Sequence, residues 1–160
     1  MTTNTPIKQE ERVIKFRAWD KENKIMFDVS ELHFVKGGIK FYGPGVGSGW
    51  ITVNDEFKNE NKVTIELMQF TGLHDKNGKE IYDGDIVRAY KPNCYLDGVY
   101  EVRWNKSEGA WRYWKEEGPY FMFSVQSKMY NVGNNKGGAW CEVIGNIWEN
   151  PELLKEEQTQ

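Results

Sequence analysis

Apolar and polar residues alternate with a period of two through most of the chain. In IKFRAWD, residues 14–20, Ile14, Phe16 and Ala18 point one way and Lys15 and Arg17 the other, as a half-buried strand requires. A polar turn at Asp20–Asn23 follows, and Ile25, Phe27 and Val29 resume the alternation, so 14–29 reads as a β-hairpin. ELHFV (31–35) and GIKFY (38–42) read as further strands around Gly37 and Gly38. VTIELMQF (63–70) alternates Val63, Ile65 and Leu67 against Thr64 and Glu66. VYEVRW (99–104) and WRYW (111–114) form a second hairpin about NKSEGA, with Tyr100, Val102 and Trp104 inward. YFMFSV (120–125) and AWCEVIGNIW (139–148) supply two more strands, separated by the loop NVGNNKGG (131–138). No segment carries a helix-period apolar stripe of three turns. One short helical turn is expected at the end, capped by Asn150, with Pro151 in first position and Leu153 and Leu154 as anchors.

The pattern predicts a mostly-β protein. Strands 81–90, 99–104, 111–115, 120–125 and 140–148 are expected to close into a small barrel, because closure removes exposed strand edges. An N-terminal β-hairpin lobe (12–62) and a C-terminal lobe (63–155) meet at the polar connection 54–62, and residues 1–11 and 156–160 read as disordered ends. The stretch GPGVGSG (43–49) tempts a dinucleotide-loop reading. Ser48 stands where GxGxxG needs glycine, and no helix follows to present its N-terminus, so a flexible loop is expected.

Composition narrows the function classes. The 160 residues include seven Trp, eight Tyr and eight Phe, enough to fill a core despite 28% charged residues. A formal net charge of −3 with dispersed Lys and Arg offers no general attraction to phosphate backbones or anionic membranes. The opening MTTNTPIKQEER lacks the apolar run of a signal peptide, and no stretch has the length of a membrane span. Cys94 and Cys141 lack CxxC spacing and read as reduced thiols, which with the absent export signal places the chain in the cytoplasm.

The segment LHDKNGKEIYDGDIV (73–87) packs Asp75, Glu80, Asp83 and Asp85 beside two glycines. A calcium loop starting at Asp75 matches Asn77 but then meets Lys79 at the fifth position and Glu80 where the loop needs glycine. An acid/base site would use Asp83 and Asp85 with His74, the only histidine nearby. Turn chemistry accounts for the same residues: Asn77-Gly78 suits a type I′ turn, and Asp83-Gly84 a second turn in which Asp accepts local backbone N–H groups. A zinc site would have to be assembled from His33, His74, Cys94 and Cys141 across the fold, without paired short-range ligands. There is no GxSxG elbow, and no metal or cofactor is called for.

The binding surface that stands out is RWNKSEGAWRYWKEEG (103–118). Arg103, Lys106 and Arg112 interleave with Trp104, Trp111 and Trp114, the equipment of a single-strand binder, although Glu101, Glu108, Glu116 and Glu117 sit among them. Alternatively the aromatics fill the barrel while Arg and Lys cover ring faces. A protein partner is favoured over nucleic acid, since Trp, Tyr and Arg are common interface anchors.

Three segments, IKFRAWD (14–20), QFTGLHDKNGKEIYDGDIV (69–87) and VIGNIWENPELL (143–154), resemble the YopX family of small phage and prophage proteins. The resemblance implies a β-rich fold of bacterial or phage origin with an SH3-like barrel in the C-terminal half. It carries over no activity, catalytic residue or cofactor. It implies association into homo-oligomers, for which the N-terminal lobe is the candidate interface. The expectation is therefore a non-enzymatic cytoplasmic phage or prophage accessory protein that binds itself or an unidentified host or phage protein. The competing expectations are a single-stranded nucleic-acid binder using 103–118 and an enzyme using Asp83, Asp85 and His74.

Overall fold

A computed structural model describes residues 13–36, 38–43, 47–52, 65–90, 97–115, 118–122 and 140–155. The expected disordered ends, the 54–62 connection, Cys94 and the 131–138 loop lie outside these residues. The chain is mostly β, as its alternation predicts. The strands are β1 (Phe16–Asp20), β2 (Ile25–Val29), β3 (Glu31–Val35), β4 (Gly38–Gly43), β5 (Gly47–Thr52), β6 (Ile65–His74), β7 (Glu80–Tyr82), β8 (Asp85–Tyr90), β9 (Asp97–Asn105), β10 (Ala110–Lys115), β11 (Gly118–Met122) and β12 (Trp140–Asn146). Among the described residues no helix is long and apolar enough to cross a membrane.

Among the described residues three sheets form, with strand orders β2-β1-β6-β7, β11-β10-β9-β8-β12 and β3-β4-β5. The first is assembled from both sides of the expected lobe boundary, because β1 pairs antiparallel with β6 from Phe16↔Gln69 to Asp20↔Ile65. The second contains the strands expected to form the barrel and curls as a half-barrel. The expected strand 81–90 is divided between the two. β7 pairs with β6, the chain turns at Asp83-Gly84, and β8 enters the five-stranded sheet between β9 and β12.

Alternation places the cores. On one face of the four-stranded sheet Ala18, Phe27 and Ile65 pack with Phe41 from β4, and the Phe27 and Phe41 rings lie 5.9 Å apart. On the opposite face Trp19, Met68, Phe70 and Tyr82 form a second cluster with Trp148 against it. The five-stranded sheet has its own core of Val87, Ala89, Tyr100, Val102, Tyr113 and Val143, closed by Ile81 and Leu73. Burial of a Phe- or Leu-sized side chain contributes about 1.5–3 kcal/mol each, so these clusters hold the three sheets together.

Part of the expected glycine loop is strand: Gly47 pairs with Gly43 and Gly49 with Phe41. A Cβ on Gly43 would stand 2.5 Å from the Phe27 ring, so glycine there is a packing requirement. The C-terminal helical turn spans Pro151–Leu154 as a 3-10 turn with Pro151 opening it. The expected Asn150 cap makes no side-chain capping bond. Capping passes to Asn146, whose Oδ1 accepts the N–H groups of Trp148 (3.0 Å) and Glu149 (2.9 Å) one turn earlier.

Candidate functional site

Three of the four carboxylates in 73–87 are structural. Asp75 is buried, and its Oδ1 accepts the N–H groups of Asn77 (2.8 Å) and Lys79 (2.9 Å) while Oδ2 accepts that of Val143 (3.1 Å). Burial pushes this carboxyl up, but the three donors together hold it below its ordinary value. The turn it wires closes with Gly78 N–H on the Asp75 carbonyl at 3.0 Å. Gly78 has φ +83° and Asn77 is not left-handed, so the hairpin is a type I turn ending in a left-handed glycine rather than the expected type I′. Glu80 accepts from Lys15 Nζ (2.6 Å) and the Tyr82 hydroxyl (2.8 Å), and the Lys15 bond leads in lowering its carboxyl. The same site pushes the Tyr82 phenol up to about 12, chiefly by burial and then by Glu80.

Asp85 is fully buried, accepts the Tyr82 N–H at 2.8 Å and pairs with Arg17. The Arg17 guanidinium lies 4.6 Å from the centroid of the Tyr82 ring, spanning the two sheets. Burial raises the Asp85 carboxyl, and the Arg17 charge opposes that rise.

Asp83 differs from the other three. It sits on a turn that joins three elements: its own N–H donates to Gln69 O (2.9 Å) in β6, Gly84 N–H to Val102 O (2.8 Å) in β9, and Ile147 N–H to Gly84 O (2.9 Å). Gly84 has φ +75°, and a Cβ there would lie 3.3 Å from Ile147, so conformation and packing both require glycine. The Asp83 side chain lines a cleft of about 150 Å³ between the two sheets, walled by Met68, Glu66, Glu101, Arg103 and Trp148. Burial, and then the negative charge of Glu101, push its carboxyl up to about 6, against the opposing pull of the Trp104 and Gly84 N–H groups and Arg103. Glu101 is 6% exposed and is held bidentately by Arg103 at 2.7 and 2.6 Å. Glu66 pairs with Lys21, whose ammonium lies 5.4 Å from the Trp148 ring centroid.

The cleft joins residues that the sequence assigned to separate readings, Asp83 and Arg103, and adds Glu101, Glu66 and Trp148. Asp83, Asp85 and His74 are not brought together: no hydrogen bond or ion pair among the described residues joins them. Asp85 is occupied by Arg17 and a backbone amide, and His74 is exposed with its ring edge-on to Phe70 at 5.5 Å.

The 103–118 hairpin forms in the register Trp104↔Trp111, Arg103↔Arg112 and Glu101↔Trp114. Trp104, 45% exposed, meets Trp111 edge-to-face at 5.1 Å, and Trp111 packs on the sheet core. Arg103 covers Trp114 at 5.3 Å while engaging Glu101. Arg112 is buried and paired with Glu108, and its Nη1 is buried without a hydrogen-bond partner. Lys106 is exposed in the turn. Both arginines are thus engaged within the chain. A further exposed surface lies on β3, an edge strand that is exposed at every position except Leu32, with Phe34 76% and Val35 44% exposed.

The family described as YopX protein matches residues 15–155. No curated protein matches the sequence. Among solved structures, protein EF1440 from Enterococcus faecalis is similar at 31% identity, covering 90% of this chain and 99% of that one, with a TM-score of 0.56. Protein yopX from Bacillus subtilis is 25% identical, covering 88% of this chain and 97% of that one, with a TM-score of 0.47.

Proposed function

This chain belongs to the YopX family, and on that premise we propose that it is a non-enzymatic phage or prophage accessory protein of the bacterial cytoplasm that acts by binding protein. Its curled five-stranded sheet serves as an SH3-like scaffold, and β3 is the contact element. The observation that carries this reading is the edge strand itself. Among the described residues β3 has a strand partner on one side only, and the large apolar side chain of Phe34 stands 76% exposed on it. An edge of this kind is a template for strand addition by another chain, and covering Phe34 would contribute about 1.5–3 kcal/mol. The first partner is a second copy, adding its own β3 antiparallel so that two three-stranded sheets become one. An unidentified host or phage protein is the other candidate.

Sedimentation velocity of the wild type and Phe34→Glu across a concentration series tests this. Concentration-dependent association that Phe34→Glu abolishes is the expected result. A monomeric wild type, together with no partner retained through Phe34 from nuclease-treated host lysate, would overturn it. The nucleic-acid reading rests on the Trp104–Trp111 pair with Lys106 beside it. It requires salt-sensitive binding of single-stranded oligonucleotide that Trp104→Ala removes.

A further inference from the structure

The Asp83-Gly84 turn is where the two sheets and the C-terminal segment are tied, through hydrogen bonds of 2.8–2.9 Å to β6, β9 and Ile147. A carboxyl at such a joint has little latitude, because Gly84 is packed against Ile147 and cannot shift outward without losing these bonds. The charged groups facing Asp83 can be named element by element. From β6 comes Glu66, itself paired with Lys21; from β9 come Glu101 and Arg103; the 147–148 segment brings only Ile147 and Trp148. Among the described residues Arg103 is the one cation on the cleft wall, and its Nε and Nη2 both donate to Glu101.

We propose that the Asp83-Gly84 turn is a proton-operated joint: with Asp83 neutral the two sheets stay tied, and its ionisation beside Glu101 loosens the tie. The physical cause is the arrangement of like charges. Ionised Asp83 adds a second negative charge next to a buried, already paired glutamate, at a partly exposed position between the two sheets. The strain falls on the bonds that hold the turn, which are the links between sheets. Because burial and Glu101 raise the Asp83 carboxyl to about 6, the change falls within the range of cellular pH. The joint is tight below that value and looser above it. The device is independent of the β3 surface, and either can fail without the other.

Amide hydrogen exchange of the full chain at pH 5 and pH 7, corrected for intrinsic rates, tests it. The N–H groups of Asp83, Gly84 and Ile147 report on the joint directly, and that of Val87 serves as a core reference. Their protection relative to Val87 is expected to fall by up to about tenfold between the two pH values in the wild type. The fall should be absent in Asp83→Asn and reduced in Glu101→Gln, which removes the opposing charge while keeping Asp83. Unchanged relative protection in the wild type would overturn the proposal. So would the same fall in Asp83→Asn, which would place the titrating group elsewhere. Should Asp83→Asn not fold, an undiminished fall in Glu101→Gln has the same force.

Discussion

Asp85→Asn isolates the buried ion pair between the sheets. The substitution keeps the side chain's shape and an oxygen to accept the Tyr82 N–H at 2.8 Å. What it removes is the anion facing Arg17, whose side chain is 12% exposed and whose Nε is already buried without a partner. The guanidinium would retain only the face of Tyr82, 4.6 Å away, and a 3.8 Å contact with the Met68 sulfur. Leaving a buried charge uncompensated costs about 3–5 kcal/mol, a large share of the roughly 5–15 kcal/mol that separates a folded domain from its unfolded chain. The pair itself is not where net stability is gained, since burial raises the Asp85 carboxyl even with Arg17 beside it. Arg17→Met combined with Asp85→Asn should therefore recover most of the loss, because the stranded charge is gone while the Tyr82 amide keeps its acceptor. Urea unfolding followed by Trp fluorescence measures the wild type, both single variants and the double variant. An Asp85→Asn cost below about 1 kcal/mol, or a double variant as unstable as the sum of the singles, would refute the reasoning.

Gly145→Ala places a Cβ 2.6 Å from Asn150 Oδ1 and 2.9 Å from a Leu153 methyl; a loss of about 1–2 kcal/mol and faster proteolysis after residue 145 are expected. The pH profile has two limbs of opposite sign. Asp20, Asp75 and Glu80 have lowered carboxyls, held by Asn23, by three backbone N–H groups against burial, and by Lys15 respectively. Their contribution is present above the ordinary carboxylate range and lost as pH falls through their folded values. Asp83 is raised, so its contribution is present below 3.8 and lost as pH rises towards about 6. Asp75→Asn should flatten the acid limb in urea unfolding between pH 2 and 5, and an unchanged acid limb would contradict the wiring described for Asp75.

Period-two alternation made the bounds of β1–β4 and of the β9–β10 hairpin legible almost to the residue, but not every facing: Trp104, expected inward, is 45% exposed, and β3 is exposed on both faces except at Leu32. The same rule misread Arg17. It alternates correctly with Phe16 and Ala18, but its face meets a second sheet rather than water, and that sheet arrives 68 residues later in the chain. Asp83 shows a similar limit. Its local sequence predicts a turn, and the turn forms. Its unusual environment comes from Glu101 and Trp148, which no local pattern connects to it. Turn class was fixed by backbone geometry finer than residue preference: Asn77-Gly78 fits two hairpin types, and only Gly78 is left-handed. Asn150 before Pro151 is a sound cap signal, yet its side chain makes no capping bond, and the side-chain acceptor in this region is Asn146, which takes the N–H groups of Trp148 and Glu149 ahead of the helical turn.

The three segments that carry the family resemblance are far apart in sequence and meet at one place. Arg17, from the first, pairs with Asp85, from the second; Gly84, beside it, accepts Ile147 N–H from the third. Lys21, one residue past the first segment, lies over Trp148 of the third. What these segments specify together is the joint between two sheets, which explains why a stretch so rich in carboxylates contains three that serve the fold. It also constrains how function can be sought. Substituting the signature residues disturbs the joint, so a lost interaction cannot be separated from lost structure. Phe34 and Trp104 lie outside all three segments and have well exposed side chains, and the Trp104 N–H, which reaches Asp83, is retained in any side-chain variant. Phe34 variants should leave urea unfolding nearly unchanged, and Trp104→Ala should cost only about 0.5–1.5 kcal/mol for its lost contact with Trp111, so that a loss of association or oligonucleotide binding beyond that reports on a surface and not on the scaffold.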